Sequence, residues 1–291
     1  MRPRMSMLAT GVCAWLLLLI AAGAVAEPAR ASTEAPPPTV ADIVARNAAA
    51  RGGSDAWQKM QTMVWAGHTE STNAPERKLP FLLELKRPDR ARFEIVAGGG
   101  KMVRIYDGTN GWKLRPDGSG MPQMEPYSAD ELAFARGSQI IDGPLMSFAA
   151  KGAVLALVGT AAIDGRKAYV LNATLPSGDG GRIWVDVETY LEQRLDREVQ
   201  LSAGKTATST IVYRDYRSFQ GLQIPTRIET GQGPGRAVDK LVVEKVALNP
   251  GIDDATFAKP QFGPRRHRGV TVDTRSAAQA AGPPAPSQPP P

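Results

Sequence analysis

Cysteine and histidine are nearly missing from this chain. Cys13 is its one cysteine, and His68 and His267 are its two histidines. Residues 1–26 read as a secretory signal peptide. Arg2 and Arg4 precede an apolar run from Val12 to Ile20, and Ala24-Val25-Ala26 supplies a small-residue cleavage site. Cys13 lies before most of the apolar run, so cleavage after Ala26 removes it. The mature chain is then expected to have no disulfide, no thiol chemistry and no cysteine-ligated metal. The two histidines lie far apart and in no zinc-protease spacing, so no metal site and no cofactor are expected.

Charge of one sign is also scarce. The formal net charge of +6 falls to +4 without Arg2 and Arg4, too mild a balance to call for nucleic acid as a partner. Catalytic constellations are absent too. Gly98-Gly99-Gly100-Lys101 lacks the first glycine and the hydroxyl residue of a phosphate loop. Ser202-Ala203-Gly204-Lys205 matches S-x-x-K, but at a strand-to-strand turn and without its companion motifs. Gly231-Gln232-Gly233-Pro234-Gly235 precedes no helix, and no carboxylate pair stands out for acid–base work. The expectation is a protein that is not an enzyme.

Large apolar residues are sparse at both ends of the mature chain. Residues 27–38 (EPARASTEAPPP) and 271–291 are rich in proline and alanine, so they are expected to be a disordered linker and tail. Residues 39–270 remain as one domain.

What that domain does contain is alternation. Thr39 or Asp42 can cap an opening helix, VADIVARNAAAR, which stops at Gly52-Gly53, and Ser54 can cap a second short one. Strand signals then dominate, at 62–70, 79–87, 91–97, 101–106, 111–115, 153–159, 167–175, 181–187, 191–201, 208–217, 222–229 and 238–247. Turn sequences such as DGTNG, RPDGSG, IDGR and PSGDGG separate them. This predicts an antiparallel meander, mostly β with short helices. In LEQRLDREVQL (191–201), Glu192, Arg194, Asp196, Glu198 and Gln200 mark a wet face, and Leu195 and Val199 belong to a dry one.

One stretch breaks the pattern. In 127–152, Ser128 and Glu131 form a capping box, and Gly143-Pro144 should divide the segment into two short helices. Leu132, Ile141, Leu145 and Phe148 make it too apolar for a surface loop. It is expected to cover the dry face of a curved sheet, against Phe81, Leu83 and Leu85. Arg87 continues the alternation of those three residues. Either the strand ends at Lys86 and Arg87 is solvated before Pro88, or Arg87 points inward and needs a partner.

Residues 85–95 (LKRPDRARFEI) and 104–117 (RIYDGTNGWKLRPD) resemble the LolA/LolB-like outer-membrane lipoprotein-sorting family. Lys86-Arg87-Pro88 and Phe93 match a K-R-P turn that ends near an aromatic, and Asp107-Gly108, Trp112 and Pro116 match the hairpin that follows. Asp253, Asp254, Phe257, Pro260 and Gly269-Val270 echo the final segment. The resemblance implies an unclosed antiparallel β-barrel of about eleven strands around internal helices. It implies a periplasmic location and, as ligand, an acyl chain or lipoprotein, with membrane-associated donor or acceptor proteins as partners. Arg87 takes the family's role of holding the helical lid closed. The apolar cavity would be lined by Phe81, Leu83, Leu85, Phe93, Leu132, Ile141, Leu145 and Phe148. The sequence departs from the family's carriers at Ala91, where they have a large aromatic. A second function remains open, a periplasmic binding or sensing module with a filled core and a protein partner. An apolar pocket of several hundred Å3 would distinguish the carrier.

Overall fold

In the computed structural model, the described residues are 37–72, 74–97, 100–117, 119–136, 141–231 and 239–261. The signal peptide, nearly all of the proline-rich segment that follows, the tail from residue 271 and His267 lie outside them.

Two short helices open the fold. Thr39 caps α1 (Val40–Ala50) in a reciprocal box with Asp42, so two orphan N–H donors of the first turn are satisfied. The cap of α2 (Ser54–Gln58) is Gly53 rather than Ser54. The strands follow in chain order: β1 (Thr62–Ser71), β2 (Ala74–Lys86), β3 (Arg90–Ala97), β4 (Gly100–Tyr106), β5 (Gly111–Pro116), β6 (Pro122–Pro126), β7 (Val154–Ile163), β8 (Arg166–Thr174), β9 (Gly180–Asp186), β10 (Glu192–Gln200), β11 (Thr206–Phe219), β12 (Leu222–Gly231) and β13 (Asp239–Leu248). All belong to one antiparallel sheet of 13 strands, against the eleven or so that the resemblance implies. The strand not foreseen is β6, PQMEP, whose two prolines argue against a ladder. It is tolerated because β6 is an edge strand, paired only with β5.

The sheet order is β6-β5-β4-β3-β2-β1-β13-β12-β11-β10-β9-β8-β7. Neighbouring strands in the sheet are consecutive in the chain, except where β1 meets β13. The two edge strands, β6 and β7, are therefore consecutive in the chain. The segment joining them must travel from one end of the sheet to the other, and it carries α3 (Ala129–Arg136) and α4 (Pro144–Ala150). Gly143 and Pro144 start α4, as the sequence predicts. Both helices lie against β10, and α3 also touches β5.

The inner face of the sheet carries two apolar clusters. One joins Met63, Trp65, Phe81, Leu83, Leu85, Leu222 and Ile224 to Trp57 of α2 and to Ile141. The other joins Leu171, Ile183, Val185 and Leu195 to Ile43 of α1 and to Leu145 and Phe148 of α4. Full burial of a Leu, Ile or Phe contributes about 1.5–3 kcal/mol, and these clusters fix α1, α2 and α4 to the sheet. On the outer face, Val64, Val103 and Ile105 are covered by Ile252 and Phe257 from the segment after β13. Lys86 and Arg90 pair with Asp254 and pin that segment.

The expected wet face of β10 needs correction. Leu195, Arg197 and Val199 are buried, while Glu198 and Gln200 are exposed. Glu192, assigned to the wet face, is fully buried. The register of β10 against β9 shifts between Glu192 and Arg194, and this bulge turns Glu192 to the other side.

Candidate functional site: a lidded cavity with two arginines

The residue after β2 settles the question left open by Pro88. Arg87 points inward and is three-quarters buried. Its Nε donates to the carbonyl of Met60 (2.6 Å), and Nη2 to that of Trp57 (3.2 Å), both at the C-terminal end of α2. Nη1 donates to Asp142 Oδ2 (2.9 Å), and Nη2 also reaches Asp142 Oδ1. The pair with Asp142 is bidentate, the geometry in which arginine is strongest. Asp142 lies between α3 and α4, so Arg87 joins α2, the sheet and the lid segment. Sequence reasoning missed Asp142. Its only signal is a lone acid between apolar Ile141 and the helix-starting Gly143-Pro144.

Beside this tether lies a cavity of about 320 Å3. Leu83, Leu85 and Phe93 of the sheet, Ile141 and Phe134 of the lid segment, and Tyr106 and Tyr127 line it. Phe81 packs against Phe93, ring centroids 5.7 Å apart and tilted, but does not itself line the cavity. Ala91 also lines the cavity. Arg87, Asp142, Arg90, Arg104 and Glu131 form its polar part. Burial pushes the Tyr127 hydroxyl up, and nearby Arg104 opposes it. Burial also raises Glu131, but the Ser128 N–H, Lys113 and Arg104 together hold it below the usual carboxylate range.

The proposed lining residues do not all converge. Leu83, Leu85, Phe93 and Ile141 meet at this cavity. Leu145 and Phe148 face the other apolar cluster, away from Phe81, Leu83 and Leu85, because α4 packs against α1 and β10. Leu132 is only half-buried and reaches neither cluster, since α3 buries no residue completely. The lid thus covers two regions rather than one.

Under α4 is a second cavity, of about 150 Å3, bordered by Phe148, Leu195, Ile211, Tyr213 and Ile228 together with Arg51, Trp65 and Arg197. Arg51 is 3 % exposed and pairs with fully buried Glu192 at 3.1 Å. Its guanidinium lies over Trp57 and Tyr216, and Tyr216 donates to the backbone carbonyl of Glu192 at 3.0 Å. Burial opposes the charge on Arg51, but Glu192 and neighbouring tyrosines hold it above the usual range. Burial, with the Glu192 charge, pushes Tyr213 far up. Arg197 donates to the Phe134 carbonyl of α3 (2.8 Å). Arg51, the residue that closes α1, and the bulged Glu192 carried no sequence signal for these roles.

No group of three His, Cys, Asp or Glu side chains suited to a metal exists among the described residues. His68 is engaged by Glu244 and Glu70.

A strand order that runs unbroken from edge to edge, with the edge-to-edge connection laid as helices across the inner face, decides the fold class. The fold is LolA/LolB-like. A LolA superfamily protein from Nitrosomonas europaea is similar in structure, with a TM-score of 0.51 and 17% identity over 76% of this chain and 99% of that one. A DUF1329 family protein from Desulfovibrio piger gives 0.50 and 15% over 75% and 97%. No family model matches the chain, and no curated protein matches it in sequence. In the LolA-like frame, Arg87 is the residue at the start of the turn between β2 and β3, facing the lid.

Proposed function

We propose that the protein is a periplasmic carrier or binding protein that holds an acyl chain, alone or on a lipoprotein, between the lid and the sheet. The observation that carries this reading is the 320 Å3 cavity, walled by Leu83, Leu85, Phe93 and Ile141 and closed on one side by a segment held through the Arg87–Asp142 pair. An apolar space of this size beside a polar tether suits a chain that must be sheltered from water and later released. The LolA-like fold supports the same reading by analogy. Arg87 is the lid-holding residue in this proposal, and Asp142 is its counterpart.

Lipid extraction and mass spectrometry of protein purified from a bacterial periplasm tests the proposal. Co-purifying acyl lipid at near-stoichiometric amount is the expected result. Lipid-free protein that also fails to bind a fluorescent acyl probe while folded would leave the binding or sensing module as the better reading.

A further inference from the structure

Buried hydrogen-bonding groups are almost always paired, so each exception needs a reason. Six buried side-chain atoms lack a hydrogen-bond partner among the described residues, and two of them, Arg51 Nε and Trp65 Nε1, belong to residues that line the second cavity. Both are N–H donors. Arg51 and Trp65 are each 3 % exposed, so bulk water does not satisfy them. Glu192 Oε1 is also unpartnered, but Glu192 does not line the cavity, so the unpartnered atoms on its lining residues are both donors.

The charges around the cavity restrict which acceptor would suit these donors. Arg51 is matched by Glu192. Lys151 and Arg197 border the cavity together with Asp179 and Glu198. Burial and the nearby Arg197 lower the Lys151 ammonium below its usual range. The walls have no surplus of positive charge, and a bare carboxylate or phosphate would be desolvated without full compensation. A neutral carbonyl oxygen brings two lone pairs and no net charge. Leu195, Ile211 and Ile228 supply apolar wall for the chain attached to it.

We infer that the second cavity is a subsite for the carbonyl of an ester- or amide-linked acyl group, with Arg51 and Trp65 as its donors. The inference deepens the proposed acyl-binding function and rests on it. The ligand class becomes acyl chains in neutral linkage, as on a lipid or an acylated protein, rather than free fatty acids.

The test uses the mature protein and displacement of a fluorescent acyl probe by three ligands of equal chain length: methyl decanoate, decyl methyl ether and decanoate. The ester is expected to bind roughly 2- to 10-fold tighter than the ether, the range of one net hydrogen bond, and decanoate no tighter than the ester. Trp65→Phe keeps an aromatic ring, though a smaller one, and removes the N–H, so the ester's advantage over the ether should shrink. The Trp65 indole N–H resonance of the unmodified protein should move with ester and not with ether, a readout independent of the variant's folding. Equal affinity for ester and ether, an unmoved indole resonance, or tightest binding of decanoate would each overturn the inference while leaving acyl binding intact. If none of the three displaces the probe, the acyl-binding reading itself falls, and the subsite with it.

Discussion

Gly143 lies against the guanidinium of Arg51: a Cβ built on Gly143 would stand 2.7 Å from Arg51 Nη1. Its neighbour Asp142 is held by Arg87. Two adjacent lid residues are thus in contact with two arginines, one from the turn after β2 and one from the end of α1. Gly143 also has a φ of +77°, which disfavours any side chain. Gly143→Ala should cost about 1–3 kcal/mol in urea unfolding. Gly152, with a φ of +72° and nothing within 4 Å, is the control, for which only backbone strain is expected. Equal losses at both positions would show that Arg51 retreats freely.

Breaking the Arg51–Glu192 pair from one side leaves a buried charge alone. Glu192→Gln or Arg51→Met should each cost roughly 3–5 kcal/mol, and Arg51→Met combined with Glu192→Leu should cost less than the two losses added together. A double-mutant cycle by chemical denaturation measures the coupling. Additive losses would mean that the pair is already screened.

Asp142→Asn is the sharper test of the lid tether. Arg87→Leu strips partners from the Met60 and Trp57 carbonyls as well as from Asp142, and so mixes lid and stability effects. Asp142→Asn weakens only the contact with the lid segment. Dissociation of a bound acyl probe should quicken by roughly 10-fold, the loss of one charge-assisted bond. Unchanged release in stopped-flow experiments would remove the holding role from Arg87.

Ala91→Trp should fill the cavity beside Arg87. Ala91 lines it and pairs across the sheet with Leu85 and Tyr106. Because the added indole extends into the cavity, the stability change should stay within the roughly 1–3 kcal/mol of overpacking while probe affinity falls at least several-fold. Undiminished binding would place the ligand elsewhere.

Asp186 sets an acid limit. Burial disfavours its charge, but the N–H groups of Thr189 and Glu188 and the Arg166 ion pair outweigh burial and hold the carboxyl below the usual aspartate range. A depressed folded pKa gives stability that is present above the unfolded value, about 3.9, and is lost as pH falls through the folded one. Asp186→Asn should lower stability at pH 7 and flatten its decline below about pH 4. A parallel shift of the whole stability–pH curve would assign the acid dependence to other carboxylates.

The meander was legible because period-two alternation and turn residues act locally. Every strand proposed from the sequence is present, with ends moved by a few residues. What escaped was set by contacts distant in sequence. β6 exists because it needs only one ladder partner. Glu192 is buried because a bulge reverses its face and Arg51, 141 residues away, meets it. The orientation of Arg87 depended on Asp142, and no alternation rule pairs a strand end with a helix start 55 residues later. The lid's apolar residues were recognised, but not their division between two clusters, which follows from α4 docking on α1.

The two edges of the sheet are not bonded to each other, and the segment that lies across the inner face is chemically continuous with both. The arrangement resembles a bow and its string. Spreading the limbs breaks no ladder hydrogen bond, because no seam exists between β6 and β7, yet it lengthens the path the string must span. The width of the mouth and the seating of the lid are therefore one mechanical variable, and a partner that pulled on either edge strand would also bear on the grip that the two arginines hold.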